Sequence, residues 1–142
     1  MNSMDSYDKQ PSLAICNFFK KLDEYEDISY SELIELFEEI KLDKNYILER
    51  YLYTPVHLAV AFGCKEHLEK IVKTGISLDD DEYSENWEFT PLELAVRLDN
   101  VMMLEVLHKS GCKFDEKKLD ILAEKYHSQK VKQYLNEFFN RQ

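Results

Sequence analysis

The sequence predicts an all-α protein: a short helical solenoid of antiparallel helix pairs with one extended finger loop and helical N- and C-terminal caps. Three observations predict it. The phrase "YTPVHLAVAFG" at 53–63 returns as "FTPLELAVRLD" at 89–99. Each copy is closed by a glycine 21 residues after its threonine, Gly75 after Thr54 and Gly111 after Thr90. The two threonines stand 36 residues apart, a period that signals stacked helix pairs rather than one globular core.

Taken in order, 1–10 reads as a disordered tail, and 11–142 as a single domain whose N-terminal helical cap is 11–53. Within that cap, 12–25 is predicted helical with Leu13, Phe19 and Leu22 on its apolar side. Ser29 followed by Glu32 is a capping box, in which each side chain satisfies the other residue's backbone N–H. It opens a second helix to about residue 40, with Leu33, Phe37 and Ile40 inward. The pattern of 43–53 fits both a short helix and an irregular first finger.

The repeats are 54–79 and 90–115. Thr54 and Thr90 supply N-cap oxygens, and Pro55 and Pro91 take the first helical position, where a missing N–H costs nothing. Leu58–Ala59 and Leu94–Ala95 make a narrow apolar stripe. Leu68, Ile71 and Val72, then Leu104 and Leu107, give the second helices core-facing spacing. Gly75 and Gly111 fall where a helix stop needs positive φ. The finger between the repeats, 80–89, is acidic and aromatic.

The C-terminal cap, 116–142, carries Leu119, Leu122, Ala123 and Tyr126, then Val131, Tyr134, Leu135 and Phe138. Each set follows i, i+3, i+4, i+7, predicting two amphipathic helices broken near Ser128. Repeat arrays need such a terminal unit with a polar outer face, and Lys117, Lys118, Lys130 and Lys132 gather here.

On these residues, "TPVHLAVAFG…G" and "TPLELAVRLD…G", the chain resembles ankyrin repeat proteins over 54–115. It departs from the family motif at Asp99–Asn100, which lack the turn glycine, and at Glu93, where the motif histidine is missing. Asp and Asn tolerate the left-handed region better than other non-glycine residues. The finger is about three residues longer than the family's period of about 33 allows.

The resemblance implies a groove that grips a protein partner. Carried over by position, that groove holds Tyr51, Tyr53, Ala61, Phe62, Trp87, Phe89, Arg97 and Leu98, with Tyr83 projecting from the finger. Tyr, Trp and Arg dominate binding hot spots. An acidic rim of Asp80, Asp81, Glu82, Glu85 and Glu88 would steer a partner with a basic surface. The bland alternative makes Tyr53 and Phe89 hydrophobic staples, with Phe62 and Leu98 packed inside.

Chemistry-bearing patterns are few. His57 stands at helix position N3, where Glu93 stands in the second copy, so either residue serves as a capping partner and His57 reads as structural. Cys64 and His67 have C-x-x-H spacing, a fragment of a zinc site without a second pair. Asp79–Glu82 departs from a calcium loop, with Ser84 where the glycine belongs and Thr90 where the bidentate glutamate belongs. No glycine-flanked serine, phosphate-cradling loop or plain Cys/His pairing marks an enzyme. No catalytic residue, metal or cofactor is expected.

Composition narrows the classes further. At 142 residues with 44% hydrophobic side chains the chain can bury a core, and it lacks an apolar run long enough to span a bilayer. Its net charge of −10 disfavours nucleic acid and anionic lipid. Cys16, Cys64 and Cys112 are distant and odd in number, which fits a reducing compartment and small apolar roles. Without a basic n-region and apolar h-region at its start, the chain is expected in a cytosol, its own or a host's reached without a classical signal peptide. The function expected is a non-enzymatic adaptor binding another protein. That reading extends to a bacterial effector acting on a host factor; the alternative is an acidic inhibitor or decoy blocking a basic surface, a nucleic-acid-binding one among them.

Overall fold

A computed structural model describes residues 11–42, 52–79 and 87–139, and among them it holds eight helices and no strand. The chain is therefore all-α in its described part. It divides into two compact units between Ile76 and Ser77. Tyr51 and the finger residues Asp80, Asp81, Glu82, Tyr83 and Glu85 lie outside the described residues, as does most of 43–53.

The first unit holds α1 (Leu13–Asp23), α2 (Tyr30–Lys41), α3 (Pro55–Phe62) and α4 (Lys65–Val72). Ser12 caps α1 through its hydroxyl, which accepts from Ile15 N–H at 3.3 Å. The capping box of α2 forms as expected, with Glu32 N–H to Ser29 Oγ at 3.1 Å and Ser29 N–H to Glu32 Oε1 at 2.9 Å. Ile15, Phe18, Phe19 and Leu22 face inward from α1, and Leu33, Leu36, Phe37 and Ile40 from α2. Leu13 corrects the sequence reading. It is 75% exposed, because the buried stripe of α1 runs through Ile15 and Phe18 and leaves the first residue outside.

In this unit α1 packs on α2 and α4, and α3 packs on α2 and α4. α3 is buried almost all round: Val56, Leu58 and Ala59 are fully enclosed, and so is His57. Each fully buried Leu or Val contributes on the order of 2 kcal/mol. Lys70 ties α4 to the end of α1, its ammonium donating to the carbonyls of Leu22 at 3.1 Å and Tyr25 at 2.6 Å.

The second unit holds α5 (Pro91–Arg97), α6 (Val101–Lys109), α7 (Glu116–Lys125) and α8 (Gln129–Phe138). Helices α5 and α6 pair, as do α7 and α8, while α5 also packs on α7 and α6 on α8. Leu94, Ala95, Val96, Leu104, Leu107, Ala123, Val131 and Leu135 form its core.

The two pairs of this unit turn alike. Asp99 (φ 56) and His127 (φ 57) are left-handed, and the next N–H in each case reaches back to the preceding helix, Asn100 to Ala95 O at 2.9 Å and Ser128 to Ala123 O at 2.8 Å. This is the six-to-one bond of a Schellman stop. Gly75 and Gly111 take φ 85 and 100, as their spacing predicts.

Gly63 behaves differently. Its φ is −90, and a Cβ there would meet Ala59 O at 2.9 Å and the Phe19 ring at 3.0 Å. The first copy therefore needs glycine for close approach, whereas the second ends α5 one residue earlier and uses a left-handed aspartate. Asp99 gains a further role from this: its carboxylate caps α8, accepting from Val131 N–H at 2.9 Å and Lys130 N–H at 3.4 Å. Ser128, buried at the same junction, donates its hydroxyl to Val96 O.

Candidate protein-binding surface

In the second unit, Trp87, Glu88 and Phe89 run directly into Thr90, the N-cap of α5. Thr90 Oγ1 accepts from Glu93 N–H at 3.2 Å, and Glu93 Oε1 accepts from Thr90 N–H at 3.0 Å. The same glutamate carboxylate, largely buried, holds the Lys118 ammonium of α7 at 2.8 Å. One side chain thus fixes both the start of α5 and its position against α7.

At the other end of α5, the Arg97 guanidinium lies 4.5 Å from the Tyr126 ring centre and 5.4 Å from that of Phe89. The two rings meet edge to face at 6.0 Å. Lys125 also stands 5.3 Å from the Tyr126 ring. A cation over an aromatic face gains about 0.5–2 kcal/mol, and it loses freedom before any partner arrives. Phe89 is 5% exposed, so it supports Arg97 from inside and has little area to offer. Trp87, Arg97, Leu98 and Tyr126 are half-buried, and Glu88 is exposed.

Two shallow clefts flank the Glu93–Lys118 pair. One, of about 240 Å³, is walled by Glu88, Phe89, Leu122, Lys125 and Tyr126. The other, of about 210 Å³, lies among Asp79, Leu92, Lys113, Asp115 and Leu119. Both fall short of the roughly 300 Å³ at which small-molecule sites begin. Asp79 orders the second by accepting from Lys113 N–H at 3.1 and 3.3 Å. Its charge also helps hold the neighbouring Cys112 thiol up at about 12, although burial is the larger cause.

In the first unit, Thr54 Oγ1 accepts from His57 N–H at 3.3 Å and lies 2.8 Å from His57 Nδ1. The hydroxyl therefore serves the histidine twice, and the ring works through the threonine side chain where Glu93 works through the threonine backbone. Tyr53 meets the His57 ring edge to face at 5.3 Å, and Tyr53, Ala61 and Phe62 are each half-buried.

Tyr126, Lys118 and Lys125 were hidden in the sequence as parts of an amphipathic helix. The visible hint is Tyr126 itself, the last apolar position before the break at Ser128 and the residue that follows α7. Among the described residues no group of three or more His, Cys, Asp or Glu side chains is placed to hold a metal ion, and no helix is long and apolar enough to cross a membrane. No protein-family model, curated protein or solved structure matches this chain.

Proposed function

We propose that the chain is a short ankyrin-type helical solenoid that acts in a cytosol as a non-enzymatic binding module, gripping a protein partner with a basic surface. The observation that carries this reading is Arg97, preset over the Tyr126 and Phe89 rings beside half-buried Trp87 and Leu98. Arg and aromatic residues at the centre of a preordered patch are the usual anchors of protein interfaces, because their ordering cost is already met. Two further features support it. The Thr-Pro helix starts and positive-φ glycines recur in register, as in ankyrin repeats. Exposed Glu88 and the net charge of −10 favour a basic partner.

Affinity purification with mass spectrometry, using the whole chain as bait, identifies the partner. Trp87→Ala and Arg97→Ala are then compared with the original chain, each checked for retained helicity. Each substitution is expected to weaken binding at least about tenfold, as hot-spot truncations do. Full binding by both folded variants would place the interface elsewhere and sink the reading.

A further inference from the structure

We propose that the trough between α1 and α2 is a second docking surface, and that its occupant is a basic amphipathic helix of a partner protein. It lies wholly in the first unit and does not depend on the Arg97 patch. Two clefts make up the trough. One, of about 130 Å³, has Ala14, Asn17, Phe18 and Ile40 in its walls. The other, of about 350 Å³, is bounded by Glu24 and Tyr25. Lys21 and Leu36 belong to both. The Lys21 ammonium meets Glu39 Oε1 at 2.8 Å, so one ion pair joins α1 to α2 across the trough where the clefts adjoin.

Helix periodicity builds this form. Asn17, Lys21 and Glu24 share one edge of α1 and its cap at i, i+4, i+7, and Glu32, Glu35 and Glu39 share an edge of α2 at i, i+3, i+7. Buried Phe18, Leu36 and Ile40 supply the floor. From Asn17 to Glu24, as from Phe18 to Tyr25, the chain advances seven residues, about 10 Å of helix. An amphipathic helix presents its apolar residues i and i+7 at the same distance, one for each cleft. A paired set of helices leaves between its members the groove into which such a face packs.

Charge decides which helix fits. Eight of the 17 residues from 23 to 39 are Asp or Glu, and none is Lys or Arg. Lys21 is the one cation among the described residues that wall the clefts. Helix stability does not account for the placement. Glu38 and Glu39 stand in the last turn of α2, where the macrodipole opposes negative charge, and Glu35 repels Glu39 at i, i+4. The Lys21–Glu39 pair is about half exposed on both sides, and such a pair holds weakly. A lysine or arginine of the incoming helix can therefore take Glu39 from Lys21 and open the two clefts to its apolar face. Glu24 and Glu35, both exposed, receive further cations along the rims.

The probe is a labelled leucine–lysine peptide of about 18 residues, with its leucines on one helical face, titrated with the full chain at about 0.15 M salt. A peptide of the same composition in scrambled order carries equal charge without that face. The ordered peptide is expected to bind at least about tenfold more tightly than the scrambled one. Glu39→Lys is expected to weaken it at least about tenfold, and Lys21→Ala to tighten it about threefold. Backbone amide NMR shifts are expected within residues 14–25 and 35–40. Equal binding of the two peptides would reduce the trough to a charged surface and overturn the proposal. Shifts gathered on the second unit, or undiminished binding by folded Glu39→Lys, would overturn it as well. Should Glu39→Lys not fold, Glu24→Lys makes the same test from the opposite rim. Neither result touches the Arg97 reading, which is decided by its own partner in the other unit.

Discussion

Equivalent positions in the duplicated phrase solve the same problem with different chemistry. Glu93 closes a reciprocal box and reaches Lys118, while enclosed His57 engages its threonine's hydroxyl. The helix start tolerates either because the Thr Oγ1 bond to the N3 N–H is common to both. Cys112 gives this scale its pH signature. Its thiol is pushed up from 9.0 to about 12 by burial and then by Asp79, so the unfolded chain releases that proton first. Between those limits the unfolded state binds fewer protons, and stability falls as pH rises; below about 9 the contribution is complete. Tyr134, raised by burial and then by Glu105, acts in the same direction. The urea midpoint is therefore expected to drop between about pH 8 and about pH 10.5, and to drop less in Cys112→Ala. An equal drop in the two proteins would remove Cys112 as its source.

Among the elements, α8 depends most on a residue far from it in sequence. Asp99 supplies the oxygens for Val131 and Lys130 N–H while itself holding φ 56. Asp99→Ala removes the cap and, with it, the short polar side chain that tolerates the left-handed region, for an expected loss of about 2 kcal/mol in urea unfolding. Asp99→Asn retains an acceptor and tolerates the conformation, so about 0.5 kcal/mol is expected. Helix starts were legible in the sequence because caps are local: Ser12, Ser29, Thr54 and Thr90 each bond three residues ahead. Glycine stops were legible for the same reason. The Asp99 cap, the Lys70 tie to α1 and the ring pair around Arg97 were not, since each joins residues dozens of positions apart and leaves no periodic trace. Leu13 misled because an apolar letter at a helix start is counted with the stripe, although the burial arc begins at Ile15. The cysteines divide likewise: Cys112 is buried as expected, whereas Cys16 and Cys64 are exposed.

Over the whole molecule the dominant quantity is charge. Twenty-eight acidic against eighteen basic residues leave a field that attracts any basic surface, whatever patch makes contact. Salt separates the field from the patch. Raising it from about 0.05 to about 0.5 M is expected to weaken partner binding less than about tenfold where Arg97 and its aromatic neighbours anchor it, because packed contacts are screened little. A loss of a hundredfold or more would instead identify an acidic decoy of a nucleic-acid-binding surface. The measurement is a titration of the identified partner at several ionic strengths.

Gly63 bears on how such a chain can change over generations. The two strings, 36 residues apart, share five of eleven residues, and exchange between them would delete or add one period. Yet the first string is fitted to Phe19 through a glycine without room for a β-carbon, and the second is fitted to α8 through a carboxylate. A recombinant that kept the Thr-Pro start and traded the ends would carry the wrong turn for its neighbours. The copies are therefore alike as text and unlike as parts, which sets a barrier against changing the repeat number by slippage at that phrase.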